Sequence, residues 1–169
     1  MPMLQINKTV LMSGADYFSD DFAINPYMDS SVPVDLQQAA YEHLAIRACL
    51  EAAGVEVIKV DPPLGCQDGV YTANWGLCRG NKVVLSSLPN KRKDEEPYAE
   101  KVLRELGKEI IKPPVHFSGQ GDALPCGNLL FVGSHYRTDP QIHEFLSQEL
   151  GYEIIGLQTI PNTGQQGIP

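Results

Sequence analysis

The chain has no apolar run of membrane-spanning length, and its opening, MPMLQINKTVLMSG, carries a lysine at position 8 but none of the sustained apolar stretch of a secretory leader. Both absences point to a cytoplasmic protein. Basic residues are few: 13 lysines and arginines stand against 21 acids, for a net charge of -8. The one basic run, Lys91-Arg92-Lys93, is followed at once by Asp94-Glu95-Glu96, so its charges are largely offset. Such a surface has little attraction for nucleic acid or anionic lipid, which leaves small molecules or other proteins as partners. The four cysteines (Cys49, Cys66, Cys78, Cys126) are too widely spaced for a zinc ribbon or a compact disulfide framework. There is no glycine-rich phosphate loop and no metal-ligand spacing, so no cofactor or metal is expected.

What is present is an ordinary globular composition. With 43% hydrophobic and 20% charged residues over 169 positions, the chain is long enough to bury a core and has the size of one domain spanning residues 1–169. The apolar periodicity alternates between strand-like and helix-like. A first unit runs from the strand Thr9-Val10-Leu11-Met12 through a helix from Asp35 to Ala53, with Leu36, Ala40, Leu44 and Ala48 as its apolar stripe, to a strand at 55–60. A second has strands at 69–74 and 82–86 joined by Arg79-Gly80-Asn81. It continues with a helix capped by Asp94, with Tyr98, Val102, Leu103 and Leu106 as its stripe, and a strand at 109–112. A third has a strand at 128–132, a helix entered through Asp139-Pro140 and stopped by Gly151, and a last strand at 152–160. A repeat of roughly forty to fifty residues predicts a modular α/β arrangement, with a doubly wound sheet as the competing architecture.

Four stretches put polar residues at strand ends or in loops, where a rigid scaffold can present them: residues 22–29, Tyr71-Thr72-Ala73-Asn74-Trp75-Gly76, residues 117–124 and residues 132–139. Each has a structural explanation of its own. Asn25 before Pro26 suits a turn, Asn74 can bond its own loop, Gly119-Gln120-Gly121-Asp122 makes a tight turn, and Arg137 suits a solvated surface.

In this order, however, the four stretches resemble those of the guanidino-group-modifying enzymes, or penteins: amidinotransferases, dimethylargininases and arginine deiminases. The resemblance runs from about Leu11 to Ile160. It implies an incomplete α/β propeller, with about three strand-helix-strand modules of the five that such a fold contains. It also implies action on arginine-like guanidino compounds, by C–N hydrolysis or amidino transfer. Ala23-Ile24-Asn25-Pro26-Tyr27-Met28-Asp29 corresponds to a loop beside the active centre. Asn74 takes the place of an aspartate that grips the guanidinium in deiminases. It can accept a hydrogen bond but supplies no charge. Ser118 stands where the family has an acid that orients the catalytic histidine, Asp122 matches the closing aspartate of that turn, and Arg137 matches the arginine that pairs with an amino-acid carboxylate.

The family's covalent chemistry uses a late cysteine and a preceding histidine. None of His43, His116, His135 and His143 stands in that context. Cys49 and Cys126 are expected as buried or incidental thiols, and Cys66 and Cys78 lie in predicted loops. The expectation is therefore an N-terminal portion of such an enzyme, truncated and inactive alone, self-associating through exposed strand edges. Asn25, Asn74, Asp122 and Arg137 would be its substrate-side residues. The alternatives are a non-catalytic binding module for guanidino or amino-acid ligands, and an unrelated α/β interaction domain.

Overall fold

A computed structural model describes residues 8–23, 28 and 31–160. These residues form three separate sheets, so the doubly wound alternative, a single continuous sheet, does not hold.

The first sheet pairs β1 (Thr9–Ser13) in parallel with β2 (Glu56–Val60), linked by α1 (Leu36–Ala52). Asp35 begins that helix by accepting the N–H groups of Gln37 and Gln38, both at 3.0 Å, which satisfies two donors that the first turn leaves free. The spacing of Leu36, Ala40, Leu44 and Ala48 gave the helix correctly but not its packing. No residue of α1 is buried, and Leu36, Tyr41, Leu44 and Ile46 are exposed. The reason lies in the partner surface: two strands are too narrow a platform to cover a five-turn helix.

The second and third sheets share one plan, an antiparallel hairpin followed by a helix and a strand parallel to the hairpin's second arm. β3 (Gly76–Arg79) and β4 (Lys82–Leu85) turn on Gly80 and Asn81, with Gly80 at φ 59, the positive value a two-residue hairpin requires. α2 (Glu96–Glu105) then crosses to β5 (Glu109–Ile111), parallel to β4. In the third sheet β6 (Ala123–Cys126) pairs with β7 (Leu129–Ser134), and α3 (Ile142–Leu150) leads to β8 (Glu153–Gln158), parallel to β7.

Several boundaries differ from the sequence expectation. Residues Thr72–Trp75 form a 3-10 turn and the strand starts at Gly76. One local and one distant bond decide this: Asn74 N–H donates to the Tyr71 carbonyl (3.0 Å) and the Thr72 hydroxyl to the Leu11 carbonyl (2.8 Å), which engages the segment before any strand can take it. Asp94 does not cap α2, because a 3-10 segment, Asn90–Glu95, precedes it and runs straight into the helix. Asp139 accepts from Gln141 N–H (2.9 Å), but the α-helix proper starts only at Ile142. β6 went unforeseen because Pro125 interrupts its apolar pattern; the proline sits on an edge strand, where its missing N–H costs nothing. Cys78 lies on β3, not in a loop, and Cys49 and Cys126 are exposed rather than buried.

The main core lies between the second and third sheets: Leu77, Val84, Phe117, Ala123, Leu130, Val132, Ile142 and Leu146 are fully buried. A second cluster joins Trp75, Ala99 and Val102 to Leu11 and Val60 of the first sheet. Phe117 also pairs its backbone with Ser87, extending β4 towards the third sheet. Truncating it to alanine would cost about 3–5 kcal/mol. The cores thereby fix the 3-10 turn before β3 against the turn before β6, where the polar residues meet.

Candidate active site

Asn74 occupies the third position of the 3-10 turn and is only 7% exposed. Its Nδ2 donates to the Ser118 carbonyl at 2.9 Å, and its Oδ1 accepts from Arg92 Nη1 at 2.8 Å. Each end of the amide thus has a protein partner.

Ser118 opens the turn Gly119–Gly121. Gly119 has φ 60, and a Cβ there would lie 2.7 Å from Ser86 Oγ and 2.8 Å from the Ala73 carbonyl, so only glycine lets this turn approach the one that carries Asn74. At Gly121 a Cβ would collide with Asn74 Nδ2. The turn ends at Asp122, whose carboxylate is shared: Thr138 Oγ1 donates to Oδ2 at 2.7 Å, and Arg137 Nη2 forms an ion pair with Oδ1. Thr138 Oγ1 in turn accepts from Ser118 N–H at 3.1 Å, and Arg137 Nη2 reaches the Gly121 carbonyl at 3.3 Å. Arg137 and Thr138 hang from a turn after β7 in which His135 takes φ 81 and donates its N–H to the Thr138 carbonyl at 3.0 Å. Thus Asn74, Ser118, Asp122 and Arg137, which come from two sheets, are joined through a continuous set of hydrogen bonds. Asn25 lies outside the described residues.

Behind Asn74 is a group that the sequence reading passed over. Arg92 and Glu95 belong to the offset charge run of the sequence, yet are only 9% and 1% exposed. Arg92 donates from Nε and Nη2 to the two Glu95 oxygens at 2.7 and 2.9 Å, and Trp75 Nε1 donates to Glu95 Oε2 at 3.1 Å. Asp68, 5% exposed, accepts from Gln67 Nε2 at 3.1 Å and lines a cavity of 430 Å³ with Phe18, Phe22, Cys66, Lys91 and Arg92. The only signal in the sequence was Arg92 and Glu95 spaced i, i+3.

Neither Cys66 nor Cys78 is set up as a thiolate. Burial, with Glu95 and Asp94 adding to it, pushes the Cys66 thiol up; burial also raises Cys78, against a smaller opposing pull from Lys108. Among the described residues no group of histidines, cysteines and acids could hold a metal ion, and no helix is long and apolar enough to cross a membrane.

No family model matches the chain. It is 34% identical over 161 residues to the bifunctional arginine dihydrolase/ornithine cyclodeaminase ArgZ of Synechocystis sp., a match covering 89% of this chain and 22% of that protein. It is 31% identical over 153 residues to the N(G),N(G)-dimethylarginine dimethylaminohydrolase of Mycobacterium tuberculosis, covering 88% of this chain and 50% of that enzyme. The chain therefore spans at most half the length of these two relatives. The solved N-terminal domain of ArgZ with product bound superposes with a TM-score of 0.83 at 31% identity, over 90% of this chain and 57% of that one. A dimethylarginine dimethylaminohydrolase adduct, at 19% identity and a TM-score of 0.71 over 92% of this chain and 62% of that one, shares the fold. On sequence and fold together, the chain is homologous to ArgZ and to dimethylarginine dimethylaminohydrolase, members of the guanidino-group-modifying, or pentein, superfamily.

Proposed function

We propose that this chain supplies the substrate-recognition side of an enzyme acting on arginine-like guanidino compounds, through C–N hydrolysis or amidino transfer. The observation that carries the reading is the convergence of Asn74, Asp122 and Arg137 within one hydrogen-bonded cluster, which Arg92 links to a cavity lined by the buried Asp68. A ligand with a planar cation at one end and a carboxylate at the other calls for this combination of groups. Arg137 has the fork that matches a carboxylate. Asn74 keeps one Oδ1 lone pair beyond its bond to Arg92. Asp68 contributes the negative charge that Asn74 lacks. The sequence relatives include an arginine dihydrolase and a dimethylargininase, and solved structures of the ArgZ N-terminal domain carry product or a covalently bound reaction intermediate. These favour arginine or a methylated arginine as the ligand. The three sheets are, in this reading, modules of an α/β propeller within a single domain, and Asn25 joins the substrate side.

Covalent chemistry of this class needs a thiolate and a histidine that moves protons. In our proposal the chain alone binds but does not turn over, since Ser118 can stabilise no imidazolium by charge and burial shifts the thiols of Cys66 and Cys78 away from the thiolate. Calorimetric titration with L-arginine tests the binding, with Arg137→Ala as the comparison; equal heats from the two proteins would remove Arg137 from the site. Assays for citrulline, ornithine and ammonia from arginine and methylarginines test the chemistry. Turnover that survives replacement of all four cysteines would exclude a thiol mechanism. The reading as a non-catalytic binding module is favoured by Ser118 in the position of the family's acid, and binding without turnover, even when the remaining parts of the fold are supplied, would establish it.

A further inference from the structure

The buried pair behind Asn74 bears on how that amide can meet a ligand. A guanidinium only donates, so whichever end of Asn74 faces Arg92 Nη1 must be the oxygen. The amide therefore has one orientation: Oδ1 towards Arg92, Nδ2 towards the Ser118 carbonyl and against Gly121. Arg92 is itself held at several points. Glu95 holds it in a bidentate grip, Trp75 Nε1 fixes Glu95 from the far side, and Nη2 also points at the Asp68 carbonyl at 3.3 Å.

We infer that Arg92, held by Glu95, is a positioning residue that sets which face of the Asn74 amide is offered to a ligand. The inference rests on the proposed role of Asn74 as a ligand-contacting group. With Oδ1 fixed, its remaining lone pair can accept from a planar cation. Were the amide free to turn, Nδ2 would meet the ligand's N–H groups, donor against donor, and half of the orientations would be unproductive. Arg92 also explains how a neutral asparagine is accommodated here, because Glu95 already supplies the one negative charge that the guanidinium requires.

The test uses Arg92→Lys, which keeps the charge and loses the fork, and the double variant Arg92→Met with Glu95→Gln, which removes both charges and leaves Trp75 an acceptor. The direct measurement is hydrogen exchange at the side-chain amide of Asn74 by NMR, with exposed Asn81 as the reference. In the wild type the Asn74 amide, bonded and 7% exposed, should exchange slowly. In both variants it speeds up about ten-fold or more towards the Asn81 rate while the backbone spectrum stays native, as loss of one charge-assisted bond predicts. An Asn74 amide that stays protected in the folded variants would overturn the inference. So would loss of the native spectrum in both variants, which would make the pair purely structural. L-Arginine titration is the second arm: affinity should fall by about ten-fold in the variants and stay unchanged in the surface variant Arg104→Ala. A wild type that ignores arginine would count against the proposed function alone, and the amide measurement would still decide the role of Arg92.

Discussion

Asp122 joins two bonds of different worth, and the structure predicts which one dominates. Its Oδ2 accepts from Thr138 Oγ1 at 2.7 Å, with Thr138 only 2% exposed, whereas the Arg137 partner of Oδ1 has a side chain 41% exposed. An ion pair open to water contributes about 0–1 kcal/mol. The hydroxyl bond is buried and made to an ionised acceptor, and deleting the acceptor leaves Thr138 Oγ1, which already receives the Ser118 N–H, with a donor and no partner. That loss costs about 1–3 kcal/mol. Asp122→Ala should therefore destabilise by about 2–3 kcal/mol and Arg137→Ala by less than about 1 kcal/mol, measured as midpoint shifts in urea unfolding at unchanged slope. A double-mutant cycle of Asp122→Ala with Thr138→Val should return a coupling of about 1 kcal/mol or more, against a smaller one for Asp122→Ala with Arg137→Ala. Equal costs for the Asp122 and Arg137 variants would refute the argument, because the exposed pair would then be carrying the turn.

Arg79 ties the second sheet to the third: it donates to the Leu150 carbonyl (2.8 Å) at the end of α3 and to Asn128 Oδ1 (2.7 Å), and lies 4.0 Å over the Tyr152 ring. Arg79→Ala should cost about 2 kcal/mol in the same assay, with Arg79→Lys recovering only part of it. His143 packs over Gly156 with Nε2 buried and unpartnered, and burial, assisted by His135, lowers its pKa from the usual 6.5. The unfolded chain takes up that proton first, so this contribution to stability is complete above pH 6.5 and is lost as pH falls through and below it; His143→Gln should flatten that part of the stability–pH curve. Among the described residues β1 pairs only with β2, and α1 exposes Tyr41, Leu44 and Ile46, so the isolated chain should self-associate. Sedimentation should show a mass that rises with concentration and falls back in Leu44→Glu; a monomer at every concentration would reject this.

Helices and most strands were legible because their apolar spacing matches the period of the element that forms, as at Val102 and Leu103 in α2 or the alternating burial along β7. Periodicity reports that a face is apolar, not that a surface exists to receive it, and α1 shows the difference. The 3-10 turn at Thr72–Trp75 was missed for another reason: its β-forming composition yields to hydrogen bonds made with Leu11, 61 residues away. At the site, the motif residues Asn74, Asp122 and Arg137 could be picked out through their family resemblance, but Arg92 and Glu95 could not. In a one-dimensional view a charge run next to its opposite is a solvated surface. Only the fold reveals that Trp75 and Asn74 wait at the place where one member of each sign turns inward.

The same fold separates two arginines that composition alone treats alike. Withdrawing Arg92 would strand Glu95, 1% exposed, without its partner, a cost of about 3–5 kcal/mol that no single ligand contact returns. Arg137 gives up a water-facing ion pair worth less than about 1 kcal/mol, and a carboxylate held by its fork in a drier site returns about 1.5–3 kcal/mol. Partner exchange is thus favourable for Arg137 and prohibitive for Arg92. An incoming carboxylate should therefore leave Asp122 on Thr138 while Arg137 swings over to the ligand, so Thr138→Val, which loosens Asp122, should lower ligand affinity even though Thr138 touches no ligand.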